Sequence, residues 1–404
     1  MTRQLARAWL LAGITALAAP GPLVAEPAAA QEPERLQADL REAIVRVPAR
    51  VEDSFGKPAE GELPVTTFRP VGPGPFPLVI ISHGRNSEKR ADYKRQRYES
   101  AARYFVRKGF AVAVPLRLGY GELAEAGDPE TSVSCSQPRY GAALQAAAQQ
   151  ILTVRAFMAR QPDIDASRTL LVGVSVGGIA TIAATSAHVP GQVAAINFAG
   201  GHGGNPDEHP GEPCQTEQLR RLFRAYGEAN ANVKPPTPTL WLYAENDHYF
   251  GPRHARRWAD AYAAGGGSVE LKLLPAHGED GHKLFTTGND VWQPLAEAFL
   301  APLGFTAPGQ LPPPAPLQPL NGEASAPAGA TTSQRGGFLK FLDAKLPRAY
   351  ALDGAGHWGY ASGDDAQSRA LAFCRRNIRT EPDGTPATTC HVHAVDEAVV
   401  RSTP

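Results

Sequence analysis

Across residues 64–302, short apolar runs alternate with longer stretches in which apolar residues recur every three or four positions. That rhythm predicts a mostly parallel β-sheet with helices on both faces, because strands covered on both sides lose the polar alternation of a solvent-facing strand. Strands are expected at residues 65–68 and 77–82, split by a Gly/Pro turn at 71–76, and again at 110–116, 169–174, 193–198, 239–243 and 269–274. Helical patterns fill 91–108, 140–160, 177–187, 251–264 and 291–300. Between 307 and 336 the pattern vanishes into Pro, Ala, Gly, Ser and Thr, including Pro312, Pro313 and Pro314, which predicts a linker. Aromatic and apolar residues return at 337–404, so a small second domain of α+β type is expected there, with residues 31–306 as the main body.

The N-terminus has Arg3 and Arg7 ahead of an apolar run from Ala8 to Ala19, then Pro20 and Pro22, then Ala28, Ala29 and Ala30. This reads as a signal peptide over residues 1–30, cleaved near Ala30; the run is shorter than the ~20 residues of a spanning helix. A periplasmic or secreted protein is expected. In that setting the four cysteines should pair as neighbours, Cys135 with Cys214 in loop-like stretches and Cys374 with Cys390 near the C-terminus. The alternative for the second pair is a metal set with His391 and His393, but no C-x-x-C spacing supports it and no metal is expected. In the 404-residue chain, 40 basic residues balance 40 acidic ones, which argues against nucleic acid or an anionic membrane as partner and leaves a small, overall uncharged molecule.

The candidate chemistry starts at Gly173-Val174-Ser175-Val176-Gly177-Gly178, a G-x-S-x-G placed between an expected strand and an expected helix. A strand-to-helix turn this sharp strains the Ser backbone and exposes its hydroxyl at the helix N-terminus, with Gly on either side leaving room for close packing. A Ser hydroxyl needs a base, and the base needs an orienting acid. Asp247, just past the 239–243 strand, is the acid, with Glu245 as runner-up. His282, in the loop after the 269–274 strand, is the base, with His277 as runner-up. The order Ser, acid, His is the one found on a nucleophile elbow of this kind. Oxyanion donors are expected from the main-chain N–H groups of Val176, after the Ser, and Arg85, in the His83-Gly84-Arg85 loop. His83 reads as support for that loop rather than as a base. Arg117, Tyr120, His202, Phe250 and Trp258 fall at or after strand ends and are candidates to line a substrate pocket.

At these residues the chain resembles the α/β-hydrolase superfamily, most of all its dienelactone-hydrolase-like and esterase members, over roughly residues 64–303. The resemblance implies an α/β-hydrolase fold and hydrolysis of carboxylic esters through an acyl-enzyme, without cofactor or metal. Dienelactone hydrolases carry Cys where this chain has Ser175, so their lactone substrate does not carry over. Cleavage of peptides or amides by the same triad, or a binding protein on a hydrolase scaffold, stays open at this point.

Overall fold

The structure is a computed structural model, described here for residues 37, 40–72, 74–187, 189–305, 318–363, 366–376, 378 and 388–400. The signal-peptide reading at residues 1–30 lies outside the described residues.

An eight-stranded sheet forms the main body, in the order β1-β2-β4-β3-β5-β6-β7-β8. β1 (Ala43–Glu52) and β2 (Pro58–Phe68) make an antiparallel hairpin, and β2 runs antiparallel to β4 (Ala111–Pro115). From β4 onward the sheet is parallel through β3 (Phe76–Ser82), β5 (Ile164–Val174), β6 (Gln192–Phe198), β7 (Thr239–Ala244) and β8 (Val269–Leu274). Successive strand residues point to opposite faces, and each face has its own core. Leu78, Ile80, Leu171, Trp241 and Tyr243 pack on one face against α2 (Tyr140–Met158), α3 (Val176–Thr185), α4 (Thr216–Ala231) and α5 (Pro252–Ala264). Val79, Ile81, Leu170, Val172, Leu240 and Leu242 pack on the other against α1 (Glu99–Arg107), α6 (Leu284–Thr287) and α7 (Asn289–Leu300). The two-faced covering explains why the parallel strands read as unbroken apolar runs.

Two expectations need correction. The helix expected over 91–108 begins only at Glu99. Ahead of it the chain is drawn out of helical register, because Arg95 and Arg97 reach Glu42 at 2.8 and 2.6 Å and Tyr98 takes a left-handed φ of 44°. The linker expected to run to 336 gives way to regular structure at Gln318. There β9 (Gln318–Pro319) pairs with β13 (Ala398–Val399), and α8 (Thr332–Leu342) opens on a capping box in which Thr331 and Gln334 satisfy each other's backbone N–H. Capping chemistry thus overrides the loop-like composition of residues 326–336.

The C-terminal segment is a five-stranded antiparallel sheet, ordered β11 (Trp358–Ser362), β10 (Arg348–Leu352), β12 (His391–Val395), β13, β9, with α8 and α9 (Ala366–Arg375). Cys374 of α9 is bonded to Cys390 beside β12, and Cys135 to Cys214 in the main body, the neighbour pairing read from the sequence. Among the described residues no helix is long and apolar enough to cross a membrane.

Candidate functional site

β5 ends at Val174 and α3 begins at Val176, so Ser175 makes the whole turn alone, at φ 59° and ψ −126°. That conformation is strained for a residue with a side chain and persists only where packing over-determines it. Packing does so here. A methyl on Gly173 would stand 2.1 Å from the Gly177 carbonyl oxygen, and one on Gly177 would stand 2.2 Å from the Ser82 carbonyl oxygen. The Ser175 N–H donates to the Phe198 carbonyl, and the Ser175 carbonyl accepts from Gly201 N–H at 3.2 Å. The Ser175 hydroxyl itself has no hydrogen-bond partner among the described residues.

Asp247 and His282 meet across the ends of β7 and β8. The Asp247 carboxylate is fully buried and accepts from Tyr249 and Phe250 N–H at 2.8 and 2.9 Å through Oδ1. His282 Nδ1 lies 3.0 and 3.1 Å from its two oxygens. With Nδ1–H as donor, Nε2 is left as an acceptor. The His282 ring stacks on Tyr249 at 4.2 Å and meets the Phe250 ring edge-on at 5.4 Å. Phe250 in turn presses on Gly201, where a methyl would stand 2.9 Å from its ring, so it ties the histidine loop to the segment bonded to Ser175. Asp280 caps the His282 turn, accepting from His282 N–H at 3.0 Å and from His248 N–H at 3.1 Å. Sequence reading missed Asp280, although an Asp before Gly-His at the start of a short turn is a capping signature. The runner-up residues stand apart: His277 Nε2 is engaged with the Thr287 hydroxyl at 2.9 Å, and Glu245 is exposed.

The His83-Gly84-Arg85 loop after β3 lies on Ser175. A methyl on Gly84 would stand 2.9 Å from Ser175 Cβ. His83 Nδ1–H donates to the Gly84 carbonyl at 2.7 Å, while Nε2 accepts from Arg117 N–H at 3.2 Å, which sets the tautomer. Burial, with the Arg117 charge second, holds His83 well below the ordinary histidine range, so it is neutral. No backbone partner accepts from Arg85 N–H or Val176 N–H among the described residues.

The five pocket candidates separate. Arg117 is wholly buried under the loop, paired to Glu130 at 2.6 and 3.0 Å and donating to the His83 carbonyl, so it supports the loop rather than lining a pocket. Tyr120 is likewise buried, donates to Glu130 at 2.7 Å, and has its phenol pushed up by burial and then by the Glu130 charge. Trp258 is corrected to a core residue, packed between Phe223 and Phe250 because α5 turns that face onto the sheet. Phe250 and His202 do border the elbow. His202 follows Gly201, packs on Tyr140 at 4.9 Å, and has neither ring nitrogen hydrogen-bonded among the described residues. Burial, then the Arg85 charge, pushes it down to about 3, against a small opposing effect of the Glu130 backbone. Among the described residues no group of three metal-ligating side chains comes together.

A parallel sheet with an antiparallel hairpin at one edge and a strained serine between its central strand and the next helix settles the architecture. The fold is that of the α/β-hydrolases. No family model matches the chain, and no curated protein matches it. Among solved structures it is similar to a protein assigned as a dienelactone hydrolase from Klebsiella pneumoniae subsp. pneumoniae, at 18% identity, covering 64% of this chain and 98% of that one, with a TM-score of 0.41. A thermophilic esterase from Thermogutta terrifontis matches at 18% identity, covering 62% of this chain and 92% of that one, with a TM-score of 0.41. The acylaminoacyl peptidase of Pyrococcus horikoshii matches at 17% identity over 64% of this chain, with a TM-score of 0.44, and the match spans only 41% of that longer protein.

Proposed function

We propose that the protein is an exported serine hydrolase that cleaves carboxylic esters of small, overall uncharged molecules. The observation that supports this is the strained Ser175 elbow with the Gly84 loop packed on it, joined through Gly201 and the Phe250 ring to the Asp247–His282 pair. In this reading His282 Nε2 takes the Ser175 proton as Oγ attacks the ester carbonyl. Arg85 and Val176 N–H groups stabilise the oxyanion, and Asp247 steadies the imidazolium. Collapse of the tetrahedral intermediate breaks the acyl–oxygen bond, and the departing alkoxide takes the proton back from His282. Water then repeats the sequence on the acyl-enzyme, with His282 as base, and frees the acid and Ser175.

His202 and Phe250 are the pocket-lining residues of this proposal. Export rests on the N-terminal sequence, and both disulfides suit an oxidising compartment. The chemistry requires no cofactor. A fluorophosphonate probe should label the intact protein and not Ser175→Ala; labelling that survives the substitution removes Ser175 as nucleophile. Turnover of p-nitrophenyl esters should far exceed that of peptide anilides, and the opposite ranking would make the enzyme a peptidase. An unlabelled, inactive protein would point to a binding role instead.

A further inference from the structure

Resting on this reading, the oxyanion loop presents a physical problem. Gly84 is held to glycine because a methyl on it would stand 2.9 Å from Ser175 Cβ, too close without a shift of one or the other. Glycine, however, leaves the following peptide, which carries Arg85 N–H, with little preference of its own. Orientation must therefore come from side-chain anchors rather than from the glycine itself. One anchor is the His83 ring on the Gly84 carbonyl. The other is the Arg85 side chain, which turns away into a two-pronged pairing with Asp128, Nη1 to Oδ1 at 2.9 Å and Nη2 to Oδ2 at 2.6 Å. Nη1 also donates to Tyr120 at 3.1 Å, and the Tyr120 ring lies between the Arg85 and Arg117 guanidiniums, 5.8 and 5.4 Å away.

We infer that Asp128 is a positioning residue for this hydrolase: acting through the Arg85 guanidinium, it holds the Arg85 N–H at the place where the oxyanion forms. Asp128 is well placed for such a role. It is fixed in a loop of its own, next to a wholly buried Arg117–Glu130 pair, and the fork geometry of arginine on carboxylate sets direction as well as distance. The Arg85 side chain is 6% exposed and that of Asp128 21%, so the pair is largely shielded from competing water.

The test compares Asp128→Asn, Asp128→Glu and the wild-type protein on a short p-nitrophenyl ester. Active sites are counted by fluorophosphonate labelling, and affinity is measured for an alkyl boronic acid that adds to a serine as a tetrahedral anion. Asp128→Asn should lower kcat per labelled site by ~10–100-fold with little change in KM, and weaken the boronic acid by a similar factor, because a displaced donor is felt only as the oxyanion develops. Asp128→Glu should recover part of both. A kcat per labelled site within about twofold of wild type, a loss confined to KM, or a loss that tracks only the number of sites labelled would overturn the inference. A wild-type protein that neither turns over ester nor takes the label overturns the functional reading and this inference with it, and is thereby distinguishable from an active wild type with an unaltered Asp128→Asn.

Discussion

Two aspartate–histidine side-chain pairs stand among the described residues, and they have different origins. Asp247 and His282 lie 35 residues apart and are brought together by the ends of two neighbouring parallel strands. Asp353 and His357 lie four residues apart, in the turn between β10 and β11, at 2.6 Å. The second pair is the shorter one, and both aspartate side chains are fully buried. Asp353 also accepts from Ala355 and His357 N–H through Oδ1, so its pair closes a hairpin. Burial works against its charge, but the bonds from the His357 ring and from these N–H groups prevail and hold it below the usual carboxylate range. The Asp–His contact is therefore equally good within a turn and between the ends of two strands. What sets the first pair apart is its surroundings: the Phe250 ring that meets His282 also packs on Gly201, whose N–H donates to the Ser175 carbonyl, whereas the second pair closes the turn it sits in.

The sharpest way to break this comparison is to remove each carboxylate's charge in turn. Asp247→Asn should lower kcat by ~10³–10⁴-fold, since the histidine loses its tautomer and the support of its charge. Asp353→Asn should leave kcat unchanged; an equal loss in both variants, measured per folded molecule, would erase the distinction.

The disulfides divide along the same border. The 79-residue separation of Cys135 and Cys214 makes that bridge worth about 4.5 kcal/mol in the chain-entropy account, against about 3 kcal/mol for the 16-residue Cys374–Cys390 bridge. Cys214 N–H also donates to the Gly203 carbonyl, beside His202. Replacing both cysteines of the first pair by Ser should accordingly lower the urea midpoint more than replacing both of the second, and only the first change should also lower ester turnover.

A smaller effect is expected from Asp353→Asn on stability. It leaves two or three turn donors poorly satisfied and should cost roughly 1–3 kcal/mol, read as a shift in denaturation midpoint with the m-value unchanged. The last concerns His202 and is absent near neutral pH, emerging only in acid. Its folded-state value of about 3 lies below that of an unfolded histidine, so the unfolded chain binds the extra proton as pH falls from about 6.5. His202 thus contributes no penalty above that pH and draws stability down between about 6.5 and 3, by at most ~1.4 kcal/mol per pH unit. His202→Phe should flatten the acid limb of stability against pH by up to that slope; an unchanged limb would show that the imidazole takes up its proton in the folded protein.

Much of this was legible in the chain because it depends on local pattern. The parallel strands announced themselves as apolar runs, and the elbow as a motif in its required setting. Asp247 and His282 were readable because strand ends limit which residues can converge. β1 was missed, though its alternation of Val45, Val47, Ala49 and Val51 with Arg46, Pro48, Arg50 and Glu52 is a half-buried strand pattern. α4 was missed behind its many charges; its buried stripe is Leu219, Phe223, Gly227 and Asn230, of which two are large and apolar. Arg117 and Tyr120 were placed after a strand end correctly but given the wrong depth, and Trp258 lies within α5. Depth depends on partners far along the chain, such as Ser82 and His83 for Arg117, and no short window of sequence contains that information.

The elbow also bears on inheritance. Its shape and its chemistry drift at different rates. Exchanging oxygen for sulfur at position 175 is a single-atom change that leaves the backbone path intact. A single added carbon at position 173 or 177 collides with main-chain atoms that no side-chain rearrangement can move aside. A lineage built on this framework can thus change the side chain at position 175 long before it can change the turn, and among its descendants those two glycines should outlast the serine.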